Sequence, residues 1–207
     1  MTRLAFIRHG HTDWNSEGRM QGHTDTHLSA QGHADITARG QIGLNPVLAG
    51  FGWQASPLRR ARLTATLLCG FAPPLEPRLI EMDWGEWEGR TLDEVRAEIG
   101  EALQDNEDRG LDFCPPGGES PRDIQNRLKP WLIEIAALRP AVVAVSHKGV
   151  IRAAMAKAYD WDMMGKAPVK LDWNCAHIFH VAADGTLTPE EMNVSVSDPG
   201  KPATGDP

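Results

Sequence analysis

Three short stretches hold side chains whose types permit phosphoryl chemistry. Arg8-His9-Gly10 follows the apolar run Leu4–Ile7, Arg60 sits in "SPLRRA", and His147-Lys148 follows "AVVAVS". An imidazole can attack phosphorus and become phosphohistidine, which divides one hard displacement into two easier ones. Arg8, Arg60 and His147 supply fixed cationic or hydrogen-bonding groups around His9, and a guanidinium fork matches two phosphate oxygens at once. Gly10 lets a ligand approach the backbone closely. Phosphoryl transfer needs little beyond positioning and charge neutralisation, so no metal is required for such a scheme. The leaving oxygen needs a proton, and Glu81 in "LIEMDWGEWEG" is a candidate donor; Asp83, Glu86 and Glu88 compete with it on sequence alone. A rival reading of the histidines gathers His9 and His11 with His23 or His27 around a metal, since imidazole is a common zinc ligand. The histidine count alone supports that reading weakly.

The elements that must position these groups alternate. Leu4–Ile7 reads as a short buried strand, Ser29 to about Leu44 as a helix, and "GWQAS" (Gly52–Ser56) as a second strand. Ser56 as N-cap, Pro57 in the first turn and Gly70 past the end predict a helix between them. Thr91 and Glu94 stand at capping-box spacing before one apolar stripe of Leu92, Val95, Ile99 and Leu103. Ser120-Pro121 opens a helix that turns Ile124, Leu128, Trp131, Ile135 and Leu138 to the core, with Pro130 expected to kink or split it. "AVVAVS" (Ala141–Ser146) is the clearest buried strand and leads into "HKGVIRAAMAKAY". "AHIFHVA" is a late strand expected at an edge. Strands alternating with helices imply a mainly parallel sheet covered on both faces. Ligands of such sheets bind beyond the carboxyl ends of the strands, where "FIRHG", "QASPLRRA" and "VAVSHKG" each place polar chemistry.

These residues resemble the histidine phosphatase superfamily, the phosphoglycerate-mutase-like proteins. The resemblance rests on "RHGHTDWN" (Arg8–Asn15), "GRMQGHTDTHLSAQG" (Gly18–Gly32), "SPLRRARLTA" (Ser56–Ala65), "LIEMDWGEWEG" (Leu79–Gly89), "PPGGES" (Pro115–Ser120) and "VSHKGVIR" (Val145–Arg152), in that family's order. It implies a three-layer α/β/α sandwich with a mainly parallel sheet. It also implies His9 as the phosphorylated nucleophile, Arg8, Arg60 and His147 around the phosphate, and Glu81 as proton donor. Arg60 is preferred to Arg59 and Arg62 because it directly precedes Ala61. Asn15 and the backbone around Gln21 and Gly22 match positions that hold the phosphate or its neighbour. Lys148 and Arg152 are the best candidates for contacts beyond the phosphate. Two departures bear on substrate choice: His11, where the family usually has Glu or Gln, and His27, where it often has proline.

Composition limits what else the chain can be. Its 207 residues suit one domain, read as 1–196 with a disordered tail at 197–207. A net charge of −7 argues against nucleic acid as a partner. Twelve acidic and three basic residues fall within 81–112, a balance of −9 that leaves +2 for the rest. The resemblance to longer mutases lacks their arginine-rich insertion, because residues 90–118 form an acidic, lid-like segment instead. That favours a compact-branch phosphatase acting on a small phosphorylated substrate, over a phosphoglycerate mutase or a non-catalytic phospho-ligand-binding module. No window is long and apolar enough to span a membrane, and the N-terminal apolar run is too short for a secretion signal, so a cytoplasmic address is expected. Cys69, Cys114 and Cys175, without CxxC spacing, are expected to be free thiols in a reducing compartment.

Overall fold

A computed structural model describes residues 1–198, and 199–207 of the expected tail lie outside the described residues. Ser197, where that tail was to begin, pairs with Leu44 in an isolated bridge. Five strands form one sheet: β1 (Thr2–Arg8), β2 (Gly52–Ala55), β3 (Ala141–Ser146), β4 (Cys175–Val181) and β5 (Leu187–Ser195). Their order is β2-β3-β1-β4-β5. β2, β3 and β1 are parallel, β4 is antiparallel to β1, and β5 is antiparallel to β4. Four strands therefore point one way and only β4 opposes them. The late strand expected at an edge is interior. The true edge is β5, whose "LTPEEMNVS" carries a proline and two glutamates that mask its strand character.

Strand alternation divides the core between two layers of helices. Leu4, Phe6, Val142, Ala144, Phe179 and Val181 pack with α6 (Pro121–Leu138) and α7 (Lys148–Ala158). Ala5, Ile7, Val143, Val145, Ala176 and Ile178 pack with residues of α2 (Ala30–Ile42) and α3 (Arg59–Cys69) on the other face. The result is the three-layer α/β/α sandwich. The remaining helices are short: α1 (Asp13–Ser16), α4 (Leu92–Ile99) and α5 (Glu101–Glu107). No described helix is long and apolar enough to cross a membrane.

Several expected boundaries move for local reasons. The helix expected from Ser56 starts at Arg59, with Leu58 as N-cap. The Ser56 hydroxyl is 2.7 Å from His147 Nε2, and the Arg59 amide donates to Asp25 Oδ1 at 2.7 Å. Gly70 ends the helix as expected, at φ +80. The capping box of Thr91 and Glu94 forms, but the stripe breaks at Gly100 into α4 and α5. Val95 and Leu103 still meet in a small cluster with Trp87. α6 runs unbroken through Pro130, which is exposed, as is Asn126, whose carbonyl loses its helical donor there. Leu138, expected inward, is the last residue of that helix and is 72% exposed.

β4 also buries His177 completely. Its Nδ1 accepts from the Asn193 amide at 3.3 Å, and burial lowers its pKa from 6.5 to about 4. The unfolded chain therefore takes up a proton first as pH falls, so stability is lost from about 6.5 down to about 4. Buried His9 and His147 act in the same direction. Denaturant unfolding at pH 7.5, 6 and 5 is expected to show falling stability, with His177→Gln reducing the slope by up to about 1.4 kcal/mol per pH unit. A slope unchanged in the variant contradicts this assignment.

Candidate active site

The parallel register brings the three predicted strand ends together. Arg8 lies opposite Ser146, and Ala55 opposite Val145. The His9 amide then donates to the Ser146 carbonyl at 2.9 Å, and the Ser56 amide to the Val145 carbonyl at 2.9 Å. Each chain leaves its strand on a ladder bond, so His9, Ser56 and His147 emerge side by side. The His9 and His147 rings are 5.1 Å apart, tilted by 56°.

His9 is buried yet contributes to the wall of a cavity of about 710 Å³. Its Nδ1 lies 2.7 Å from the Gly10 carbonyl. A carbonyl only accepts, so Nδ1 holds the proton and Nε2 keeps its lone pair. The Gly10 amide donates to Thr64 Oγ1, which donates to the Arg60 carbonyl, so α3 fixes the turn after β1. Burial holds the His9 pKa well below 6.5, with Arg8 and Arg60 adding to the effect. The same causes, burial first and then Arg60, keep His147 neutral.

The two arginines are held differently. Arg60 is fully buried, and its Nη1 and Nη2 donate to the carbonyls of Thr24 and Gly22, each at 2.8 Å. Arg8 shares its strand face with Leu4 and Phe6, and its guanidinium stacks 5.7 Å from the Trp173 ring. The Nε of each arginine and the Nδ1 of His147 are buried without a hydrogen-bond partner among the described residues. Burial lowers both guanidinium pKa values, opposed by Glu81. Of the arginine triplet, Arg59 instead pairs with Asp25 at the surface, and Arg62 is exposed.

Glu81 is buried on the cavity wall. It accepts from the Met82 amide at 2.9 Å and from the Gly149 amide, near the start of α7, at 3.3 Å. A Cβ on Gly149 would lie 2.5 Å from Glu81 Oε1, so a larger residue there displaces the carboxyl. The competing carboxylates have other work. Asp83 accepts from the Gly85 amide, Glu88 accepts from the amides of His23 and Thr24, and Glu86 is exposed.

Asn15, Gln21, Lys148, Arg152 and His11 all line the cavity with Arg8 and His9. The Oδ1 of Asn15 accepts from Thr12, and Gln21 Oε1 accepts from the hydroxyls of Thr12 and Thr26, which leaves both amide nitrogens for a ligand. Arg60, His147 and Gly22 stand behind the wall. Gly22 adopts φ +51 where a Cβ would strike Glu88, and its carbonyl anchors Arg60. Trp14 and Trp84 line the cavity, and Trp87 packs in the core. The metal reading of the histidines finds no support: His23 Nε2 contacts the Glu81 carbonyl, and His27 Nε2 accepts from Arg59. No group of three or more metal-ligating side chains occurs among the described residues.

Sequence reasoning missed three supports. Ser56 reads as a helix cap but bonds His147. Trp173, in the loop before β4, backs Arg8 and lies 5.9 Å from Lys148 Nζ. Arg127, inside α6, donates to the carbonyls of Arg78, Ile80 and Glu81 and pairs with Glu119, which pins the Glu81 loop. A lone arginine on a helix gives no signal of that role.

Residues 4–194 match the model of the histidine phosphatase superfamily, branch 1. A glucosyl-3-phosphoglycerate phosphatase of Mycobacterium tuberculosis is 35% identical over 170 residues, covering 74% of each chain. A 2,3-bisphosphoglycerate-dependent phosphoglycerate mutase of Brucella canis is 30% identical, covering 91% of this chain and 97% of its own. Among solved structures, mycobacterial glucosyl-3-phosphoglycerate phosphatase in complex with VO3 superposes with a TM-score of 0.78 at 27% identity, over 94% of this chain and 100% of that one. With its match over nearly the whole fold and both kinds of relative on either side, the chain belongs to the histidine phosphatase superfamily, branch 1.

Proposed function

We propose that this protein is a metal-independent phosphatase that hydrolyses phosphate monoesters through a phosphohistidine on His9. One observation carries the reading: a neutral imidazole, its Nδ1 proton tied to Gly10, stands among buried donors of Arg8, Arg60 and His147 that lack protein partners. Donors left unsatisfied in a buried site are costly, and a phosphate supplies the acceptors that satisfy them. In the tautomer this reading requires, the Ser56 hydroxyl donates to His147 Nε2 and the proton of neutral His147 sits on Nδ1, where it joins that set.

In the first step the Nε2 lone pair of His9 attacks phosphorus, the ester P–O bond breaks, and the leaving oxygen takes the proton of Glu81. Arg8, Arg60 and His147 hold the equatorial oxygens as charge shifts. In the second step water gives its proton to the Glu81 carboxylate and attacks phosphorus, and the P–N bond breaks. Asn15 and Gln21 orient the phosphate through their free amide nitrogens, and Lys148 faces the remainder of the ester.

A phosphoglycerate mutase is the second reading, favoured by the Brucella relative's cover of nearly the whole chain. Hydrolysis is preferred because a mutase must keep water from its phosphoenzyme. Residues 90–118, read as the lid, give the cavity Leu92, Glu107, Gly110 and Phe113, and no arginine among them.

Incubation with p-nitrophenyl phosphate and EDTA is expected to release phosphate, and His9→Ala to reduce release to background. Chelator-sensitive release, or an active His9→Ala, contradicts the proposal. Interconversion of phosphoglycerates faster than hydrolysis favours the mutase.

The proton-donor role makes a sharper test. Glu81→Gln is expected to slow hydrolysis of an alkyl phosphate by about 100- to 10,000-fold, and of p-nitrophenyl phosphate, whose leaving group needs no proton, far less. Gly149→Ala, whose Cβ would meet Glu81 Oε1 at 2.5 Å and Met82 Cβ at 3.2 Å, is expected to show the same leaving-group dependence by displacing the carboxyl. Equal losses on both esters would remove Glu81 from that role.

A further inference from the structure

Arg8 and Arg60 flank the same imidazole, yet only one of them is tied down by hydrogen bonds. Arg60 donates from both terminal nitrogens to the carbonyls of Gly22 and Thr24. The Arg8 guanidinium has no hydrogen bond or ion pair among the described residues. Holding a long, flexible side chain in one place costs rotamer entropy, so some other contact must fix this cation. That contact is the face of Trp173, whose ring centroid lies 5.7 Å from Arg8 Cζ, within cation–π range. Arg8 lines the cavity with His9 and Trp173 does not, so the ring acts on a ligand there only through the cation. The indole is itself clamped. Its ring meets that of buried His177 edge-on, 6.2 Å apart at 83°. On one side Arg39 of α2 donates to the carbonyl and Oδ1 of Asn174, at 3.1 and 2.9 Å. On the other, Asn193 Oδ1 accepts from the Asp172 amide at 2.7 Å, and Nδ2 donates to the Lys170 carbonyl at 3.1 Å. Asn193 adopts φ +62 where the pairing of β4 with β5 shifts register, a conformation that asparagine tolerates better than most residues.

We propose that Trp173 is a positioning residue for the reaction, holding Arg8 in its phosphate-binding place through the negative face of the indole ring. This rests on the phosphatase reading of the site, in which Arg8 holds an oxygen of the transferred phosphate. A carboxylate or carbonyl in the same place would also hold the guanidinium, but it would occupy N–H donors that the phosphate needs. A ring face attracts the cation and leaves every N–H free to donate. Arg60 shows the other arrangement, with both terminal nitrogens already engaged by the backbone. Lys148 Nζ lies 5.9 Å from the same ring, so the test must separate the two cations.

The test changes the charge distribution of the ring while keeping its shape. Tryptophan carrying successively more ring fluorines, incorporated at position 173 alone, withdraws negative charge from the face step by step. For each protein, kcat/KM is measured with a phosphate ester and Kd for inorganic phosphate by calorimetry. Both are expected to worsen at every step, by about five- to thirtyfold across the series, while the melting temperature stays near that of the wild type. Trp173→Phe, with a weaker face, is expected to fall within that range, and Trp173→Leu, with apolar bulk and no face, at its far end. Lys148→Gln is expected to leave the fluorine dependence in place, which assigns it to Arg8. A dependence abolished by Lys148→Gln overturns the proposal. So does a flat series, because a ring that only fills space is indifferent to its charge. Failure of the phosphatase reading is distinguishable, because no ester would then release phosphate. The Kd for inorganic phosphate would still decide the role of the ring: a graded loss sustains it, and equal binding along the series overturns it.

Discussion

Parallel pairing of β1 with β3 sets Arg8 beside Ser146, and the His9 amide closes on the Ser146 carbonyl as the last rung of that ladder. Everything chemical in the molecule depends on this register. Strand side chains alternate between faces, so a slip of one residue would turn Arg8 away from Trp173 and part His9 from His147. The register is strongly fixed, because both faces of β1 and β3 are buried and a slip would also exchange the two halves of the core. The same residues that make the strands insoluble in water thus position the imidazole to within a ladder bond.

The price of such a site is charge. Arg8, Arg60, Lys148 and Arg152 all face burial that lowers their pKa values, and the histidines between them are held neutral by that burial and by the cations. Glu81 opposes this at Arg8, Arg60 and Lys148 in its ionised form, the form left after it has given up its proton. The resting site is therefore short of negative charge at its centre. On the phosphatase reading proposed above, an arriving phosphate relieves the shortage and meets donors already in place, so little reorganisation remains for the reaction itself.

Much of this was legible in the sequence, and the reasons are physical. Doubly buried strands read as unbroken apolar runs, so β1 and β3 were plain, and the residues that followed them were too polar for a core. Arg60 was singled out of its triplet by the family resemblance and not by a physical pattern, and the structure buries that arginine while leaving Arg59 and Arg62 at the surface. What stayed hidden depends on contacts between distant segments. Ser56 beside Pro57 has the composition of a helix cap, and only the approach of β3 turns its hydroxyl to His147. Trp173 and Arg127 act through partners far away in the chain, which local pattern cannot show. β5 was missed because a proline and paired glutamates suit an exposed edge and resemble a loop. Pro130 was expected to break its helix, but at an exposed position the lost hydrogen bond lies where solvent reaches.

The account stands or falls on phosphorus becoming bonded to one nitrogen. Rapid acid-free quenching during turnover of a phosphate ester, followed by peptide mass spectrometry under alkaline conditions, measures this directly. The account predicts an acid-labile phosphoryl group on the peptide that contains both His9 and His11, placed by fragmentation on His9 and not His11, and absent from the peptide bearing His147. Turnover that proceeds with no phosphorylated histidine at any quench time, or with the label on another residue, would contradict it.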